Sequence, residues 1–474
     1  MGQFFRSPFP ILGLLCFTVA AFFSKGFHHL DEHFQILEFA SWKLGFTPEG
    51  DLPWEYSAKM RSSLQPWLVI LVRRALYFFG SENPFLVTFF LRLLTAFLSW
   101  SAIFLLLKTF QSEIKKSWLS EWVLPFSFIF SVSIYNGVRF SSENWGALFF
   151  VFGLCLLVSH RSSQRITFFM AGIFLGLSFL CRFQMAMMIF GLLIWVFAIR
   201  KMGHREILVL FFGIWVSLAL GVLMDHAFYG GWPLTFWNYF YQNLVQGKAS
   251  SFGVQPWYEY FKLLFFYLIP PFSLLFVGGL FSFFGLYPKH PFTFCLVPFL
   301  LIHFALGHKE ARFLFPVLYF LPLILGLSFQ RLFEKLQNAT ALAHYFKSFM
   351  RFFWVINALA LIVVLFHPAD KDVEFFEAVY FSHKSRLLFQ TVNPYSRAGG
   401  NMNYYKPPQF SLEAFSEDRD SQSQLSDVLI SLPSSSPPPE GARLIYQSAP
   451  EWITLFNFNH WLERARLWNL YYKP

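Results

Sequence analysis

The feature that most constrains this fold is a series of apolar runs. They lie at residues 9–25, 85–107, 119–135, 145–158, 166–180, 185–198, 207–224, 263–286, 292–306, 313–329 and 353–366. Each is long enough, or nearly so, to cross about 30 Å of hydrocarbon as a helix. Inside lipid every backbone polar group must be satisfied within the chain, which leaves helices or a closed barrel. Runs of this length select helices. The series therefore predicts an all-α polytopic membrane protein with about eleven transmembrane helices. Composition agrees: 14% of the 474 residues are charged, against about 25% in a soluble domain. Residues 64–79 are also apolar but carry Arg73 and Arg74. They read as an amphipathic helix lying in the interface rather than a span. The first run follows Arg6 without a small-x-small cleavage site, so it reads as a retained helix, not a signal peptide.

The loops between the runs alternate in charge. One set is basic: 108–116, 160–165, 200–205, Lys289 and 331–351. The other is acidic or mixed: 28–55, 139–143, 225–259 and 308–312. The positive-inside rule places the first set in the cytoplasm, with the N-terminus inside and the chain after Phe366 outside. The net charge of +10 is then a topology signal. Nucleic acid is not an expected partner, because no basic run is interleaved with aromatics on a soluble domain. Cys16, Cys155, Cys181 and Cys295 lie in or beside apolar runs and read as small core residues. The sequon Asn338-Ala339-Thr340 falls on the inner side and is expected to be unmodified. After residue 366 the composition changes. Residues 386–392 and 442–446 read as strands, and SSSPPP at 434–439 reads as a flexible or extended linker. The expected division is a transmembrane catalytic domain, 1–366, and a small mixed α/β domain outside the membrane, 367–474.

Polar residues collect on the outer side. Residues 28–61 gather Asp31, Glu32, Glu38, Glu49, Asp51 and Glu55 beside the first span, and acids are not kept beside a bilayer without a function. A transferase joining a sugar to a hydroxyl needs a carboxylate to take the acceptor proton, and Asp31 is placed for that, with Glu32 the other candidate. Asp31 could equally cap the helix that Phe34, Leu37 and Ala40 begin. His28, His29 and His33 could form a metal cluster or stand solvated. Further on, His308-Lys309-Glu310-Ala311-Arg312 offers cations for a departing phosphate. Lys309 and Arg312, three apart at a helix start, would share a face. Helix anchoring at the interface is the plainer alternative. A third stretch runs from Asp225 and Tyr229 through Trp232 and Asn243 to Trp257 and Tyr258. Its aromatics and amides suit a sugar, an isoprenoid or an interfacial belt alike. Arg139 with Glu143, and Arg182 with Gln184, sit at other outer helix ends.

These residues resemble the family 22 glycosyltransferases, multi-pass GT-C mannosyltransferases of the lipid-linked oligosaccharide and glycosylphosphatidylinositol pathways. The family pattern His-Pro-Asp-Glu-x-Phe-Gln with a following Glu is similar to His29-Leu30-Asp31-Glu32-His33-Phe34-Gln35 and Glu38, with Leu30 in place of proline. Trp54-Glu55-Tyr56, Arg61-Ser62 and Pro66 follow in family order. So do Arg139, Ser142 and Glu143, then Asp225, Tyr229-Gly230 and Trp232, then Asn243 and the Gly253 to Tyr258 group, whose spacing is compressed. His308 to Phe313 with Pro316 matches the family's His-Lys-Glu-x-Arg-Phe and nearby proline.

The resemblance implies an inverting transfer of mannose, or a similar hexose, from a polyprenyl- or dolichyl-phosphate sugar without a nucleotide sugar. The acceptor is a glycan or glycolipid hydroxyl on the outer or lumenal face. Asp31 is then the base. Arg312, Lys309 and His308 neutralise the leaving lipid phosphate. Glu32 and Arg61 position Asp31 or the sugar, and the substrate-contact set takes in His29, Gln35, Glu38, Trp54, Glu55, Arg139, Glu143, Arg182, Gln184, Asp225, Tyr229, Trp232, Asn243, Trp257 and Tyr258. No cofactor is called for beyond the lipid-phosphate sugar, which is a substrate, and metal dependence stays open. Chain length and phenylalanine content lean towards a bacterial inner membrane over the endoplasmic reticulum. The rival classes are a lipid-glycan flippase or exporter and a glycan ligase.

Overall fold

A computed structural model describes residues 7–159, 164–335, 340–390, 392–407, 409–414 and 427–474. Asn338 and Ala339 of the sequon, and residues 160–163 of one basic loop, lie outside the described residues. The chain divides into two units. One gathers Met1–Phe22, Ala58–Gln65 and Leu91–Phe366; the other gathers Phe23–Ser57, Pro66–Phe90 and His367–Pro474. The tail from His367 groups with Phe23–Ser57 and Pro66–Phe90.

The first unit is helical, and the chain is a membrane protein with several apolar helices. Pro84–Glu113, Phe183–Arg200, His204–Tyr229 and His344–Phe381 are each long and apolar enough to cross a membrane. Phe9–Phe23, Ser142–Val158 and Arg165–Cys181 are shorter apolar helices. Three further candidates are bent pairs: Lys116–Ile129 with Ser131–Gly137 (42°), Phe272–Leu286 with Pro291–Ala305 (120°), and Ala311–Tyr319 with Leu321–Lys335 (65°). Leu208, Phe212, Trp215, Leu220 and Leu223 are exposed along His204–Tyr229, as lipid-facing side chains are.

Three of the apolar runs, 119–135, 263–286 and 313–329, are broken within their length. At Phe130 the backbone turns extended, and Asn357 takes up the freed groups. It accepts from Ser131 N at 2.9 Å and donates to Ile129 O at 2.9 Å. Lipid would not satisfy them. The run 263–286 is interrupted at Pro270-Pro271, where two consecutive residues lack a donor. Ala311–Tyr319 is a 3-10 helix. The α-helix restarts at Leu321 with Pro322 in its first turn, where its missing N–H costs nothing. The helices Arg165–Cys181 and His204–Tyr229 cross in close contact at Gly172 and Gly213. A Cβ on Gly172 would lie 2.1 Å from Leu210 O, and one on Gly213 2.2 Å from Phe169 O. Small residues permit this approach where no hydrophobic drive exists between lipid-soluble helices. An aromatic cluster including Phe126, Phe130, Phe272, Phe276, Phe315 and Phe353 forms a core of this unit.

The second unit holds a sheet. Strands β1 (Arg386–Phe389), β4 (Ser411–Ala414), β5 (Val428–Pro433), β6 (Arg443–Gln447) and β7 (Trp468–Lys473) run in the order β4-β1-β5-β7-β6. β1 pairs parallel with β4 and β5; β7 pairs antiparallel with β5 and β6. β2 (Ser396–Arg397) and β3 (Gly400–Asn401) form a separate antiparallel pair. Leu388, Val428, Ile430, Leu432 and Tyr471 form the core. The Ser-Pro stretch is not a free linker. It joins β5 to β6, and Ser434 is pinned through its N to Leu467 O (2.9 Å) and its Oγ to Asn469 Oδ1 (3.1 Å). Helix Leu64–Phe78 occupies the stretch expected to be amphipathic, with Val69 and Ile70 buried and Leu71, Tyr77 and Phe78 exposed.

Candidate active site

In the helical unit several charged residues distant in sequence meet at Glu143 and Glu310. Helix Ser142–Val158 begins after Ser141, whose Oγ accepts from Asn144 N at 3.2 Å. This puts Glu143 in the first turn, where the helix dipole favours an anion. Arg182 follows Arg165–Cys181 with extended backbone (φ −148, ψ 109), so its side chain leaves the helix end. Arg312 comes from the 3-10 helix Ala311–Tyr319. Glu143 Oε1 lies 3.2 Å from Arg182 Nη2 and 3.3 Å from Arg312 Nη1, with side-chain exposures of 3%, 6% and 6%. Arg312 Nε also donates to Glu310, whose other oxygen lies 2.8 Å from His308 Nε2. Both guanidiniums sit near the Phe313 ring, at 5.1 and 5.2 Å from its centroid. Tyr319 OH donates to Asn144 Oδ1 (2.5 Å) and meets Ser99 Oγ (2.9 Å), locking the 3-10 helix to the start of Glu143's helix. Arg139 is buried, its Nε donating to Tyr135 O at 3.2 Å. Glu143, Arg182, Arg312 and His308 were legible as separate groups; their linkage through Glu143 and Glu310 was not.

Lys309 departs from expectation. It precedes the 3-10 helix, and Glu310 is an extended N-cap, so Lys309 and Arg312 do not share a helical face. Lys309 is buried, and its Nζ donates to Phe304 O (3.0 Å), His303 O (3.4 Å) and Leu306 O. It caps the C-terminus of Pro291–Ala305, where the dipole favours a cation. Burial pushes this ammonium below its usual range.

A second group in this unit fixes the segment that carries Arg61. Asp225 is buried; Oδ1 accepts from Ser63 N and Ser63 Oγ, both at 2.7 Å, and Oδ2 from Thr235 Oγ1 at 2.8 Å. Tyr229 OH donates to Arg61 O (2.7 Å), and Asn238 Nδ2 to Lys59 O (3.1 Å). Asp225 and Tyr229 thus serve as clamps. Arg61 lies over the Tyr239 ring at 5.3 Å, and Gln184 donates to Tyr239 OH. Asn243 Nδ2 donates to Tyr239 O (3.0 Å). Trp232, Trp257 and Tyr258 are exposed, at 65%, 64% and 46%, as an interfacial belt requires.

The acids of the first loop lie in the other unit. The helix begins at Leu30–Glu32 with His29, not Asp31, as N-cap. His29 Nδ1 accepts from Asp31 N at 3.2 Å, and Glu32 Oε1 accepts from His28 N and His29 N at 3.2 and 3.3 Å. This is a capping box with histidine in the serine place. Glu32 is occupied by it. Asp31 keeps a carboxylate 26% exposed, 3.4 Å from His29 Nδ1. The helix continues as a π segment, His33–Glu38. Its i→i+5 pitch brings residues five apart onto one side, as is common at functional sites. His33 Nε2 therefore meets Glu38 Oε1 at 2.7 Å, both side chains fully buried. Glu38 also accepts from Thr47 Oγ1 (2.6 Å) and Tyr404 N (2.9 Å). Gln35 Nε2 donates to Glu55 Oε1 at 3.1 Å, and Trp54 opens the short helix Trp54–Ser57. Tyr404 and the other tail partners carry no local signal that sequence reading could have used.

A family model described as the Alg9-like mannosyltransferase family matches residues 10–393. The chain is 26% identical to GPI alpha-1,2-mannosyltransferase 3 of Bos taurus over 67% of its own length and 57% of that protein. The Homo sapiens protein of that name gives 26% over 67% and 56%. A probable Dol-P-Man:Man(7)GlcNAc(2)-PP-Dol alpha-1,6-mannosyltransferase of Schizosaccharomyces pombe is 32% identical over 28% of this chain and 24% of its own. The chain thus spans a little over half the length of the GPI relatives, 57% and 56%. The crystal structure of ArnT from Cupriavidus metallidurans bound to undecaprenyl phosphate superposes with a TM-score of 0.50 at 11% identity, covering 99% of this chain and 98% of that one, so the GT-C fold is shared. By the match over residues 10–393, this chain belongs to the Alg9-like mannosyltransferase family.

Proposed function

We propose that the chain transfers mannose, or a similar hexose, from a polyprenyl- or dolichyl-phosphate sugar to a hydroxyl of a glycan or glycolipid at the outer or lumenal surface. The observation that carries the reading is the desolvated Arg182–Glu143–Arg312 cluster in a chain of this family. Fixed, desolvated guanidiniums are strong partners for a phosphate. Asp31 is the base: Glu32 is engaged in the helix cap, while the Asp31 carboxylate is partly open. In the reaction the acceptor O–H gives its proton to Asp31, and its oxygen bonds to the anomeric carbon from the face opposite the phosphate. The anomeric C–O bond breaks, and its electron pair leaves with the lipid phosphate. The product is inverted. Arg312, with His308 beside it through Glu310, meets the developing phosphate charge. Lys309 contributes only the field of its positive charge, since its ammonium protons are on carbonyls.

The GPI alpha-1,2-mannosyltransferase names support a mannosylated glycolipid as acceptor, and the undecaprenyl phosphate of the structural neighbour supports a lipid-phosphate donor. Sidedness rests on the basic cytoplasmic loops. The eukaryotic relatives pull against the bacterial membrane that length and composition favour. The test is transfer in isolated membranes from labelled polyprenyl- and dolichyl-phosphate mannose. The proposal expects label in a lipid-extractable glycan with inverted linkage. Label that crosses the membrane without forming a new glycosidic bond would support the flippase. Transfer of whole oligosaccharides alone would support the ligase.

A further inference from the structure

We infer that residues 401–406 of the tail are a positioning element for the helix that carries Asp31, so that the tail sets the geometry of the first loop. The inference rests on the proposed role of Asp31.

Two carboxylates of the first loop, Glu38 and Asp51, are held by this tail segment. Glu38 is fully buried on the helical stretch that begins at Leu30, about two turns beyond Asp31. A buried carboxylate is tolerated only when its oxygens are matched. His33 and Thr47 supply part of the match, and the backbone N of Tyr404 supplies the rest at 2.9 Å. Asp51 ends the following turn, Glu49–Asp51. One of its oxygens accepts from Asn401 Nδ2 (3.0 Å) and the other from Asn403 Nδ2 (2.8 Å). Lys406 Nζ donates to Asn403 Oδ1 at 2.6 Å, which fixes the amide so that its N faces Asp51.

Ring contacts follow the same register. Tyr405 stacks on His33 at 5.6 Å and 26°, and Gly400 lies where a Cβ would meet Phe34 Cε1 at 2.8 Å. The β2–β3 hairpin delivers Asn401. Both ends of the stretch after Asp31 are therefore addressed by one short tail segment. A shift there tilts the helix and moves Asp31, while the arginine cluster belongs to the other unit. The expected signature is a fall in kcat with an unchanged KM for the lipid donor.

The test uses the full chain in nanodiscs, with transfer from polyprenyl-phosphate mannose scored per folded protein. Asn403→Asp sets a second carboxylate against Asp51 and should lower kcat about tenfold or more, hydrogen bonds to charged groups being of that weight. Donor KM should stay within about twofold. The exchange Asp51→Asn with Asn403→Asp rebuilds a carboxylate–amide pair and should recover at least about a third of the activity. If Asn403→Asp does not accumulate, Asn401→Ala takes its place, with about a threefold fall expected. Unchanged kcat in Asn403→Asp or its substitute, with Asp31→Asn inactive, overturns the inference and leaves the proposed function standing. A rise in donor KM alone also overturns it. Full transfer by Asp31→Asn removes the proposed role of Asp31 itself.

Discussion

Replacing Glu143 by glutamine keeps the shape of the side chain and removes its charge. In the native cluster one carboxylate faces two guanidiniums at 3.2 and 3.3 Å, all three side chains nearly inaccessible. If this were a surface network, loss of the charge would cost under about 1 kcal/mol. Burial decides otherwise. Removing one partner of a buried ion pair costs about 3–5 kcal/mol, because the remaining charge stays desolvated. Here two like charges are left together. At roughly 2 °C per kcal/mol for a long chain, Glu143→Gln should lower Tm by about 6 °C or more. The assay is thermal unfolding of the purified protein in micelles, followed by tryptophan fluorescence. A lipid with a phosphate head should raise Tm more in Glu143→Gln than in the native protein, since Arg182 then lacks its carboxylate and Arg312 keeps only Glu310. Lys262→Met, which breaks an exposed pair with Glu259, serves as the control and should leave Tm unmoved. A Tm of Glu143→Gln within about 1 °C of native would refute the claim that burial sets the strength of this cluster.

Three further outcomes are expected. Asp225→Asn puts an N–H where Ser63 or Thr235 donates, costing about 1–3 kcal/mol; trypsin should then cut faster after Lys59 and Arg61, and an unchanged cleavage rate would remove the clamp. Glu32→Ala strips the acceptor from His28 N and His29 N, costing about 1 kcal/mol; its transfer rate should follow the folded fraction, whereas a specific loss would make Glu32 a catalytic acid. Burial lowers the Lys309 ammonium, so above its folded pKa and up to about pH 10.4 the unfolded chain binds the extra proton. The cost of holding Lys309 charged is full at lower pH and is lost through that window. Native stability should therefore rise with pH relative to Lys309→Met, and a flat or falling difference would contradict the assignment.

The acid-rich first loop, the order of polar groups and most spans could be read from the chain because their signals are local. Apolar length gives helices such as Ser142–Val158, and short apolar patches gave the sites of β1 and β6. Breaks were harder. Only Pro270-Pro271 announces itself; the break at Phe130 depends on Asn357, far along the chain. Roles were hardest where a residue has two chemically reasonable uses. Lys309 reads as a phosphate ligand, yet its ammonium donates to helix-end carbonyls; Asp31 reads as a base or a cap, and the cap is His29. The partners of Glu38 and Asp51 in the tail follow no periodicity or motif, because long-range pairing is written only in three dimensions.

The measurement that bears most directly on the central claim is transfer by Asp31→Asn. Wild-type and mutant protein, matched for Tm, are given labelled polyprenyl-phosphate mannose and acceptor lipid, and the rate of glycan labelling is compared. The account predicts that the mutant binds donor normally and forms product at least about a hundredfold more slowly, the weight of a general base. Equal rates would contradict it and place the proton acceptor elsewhere in the chain.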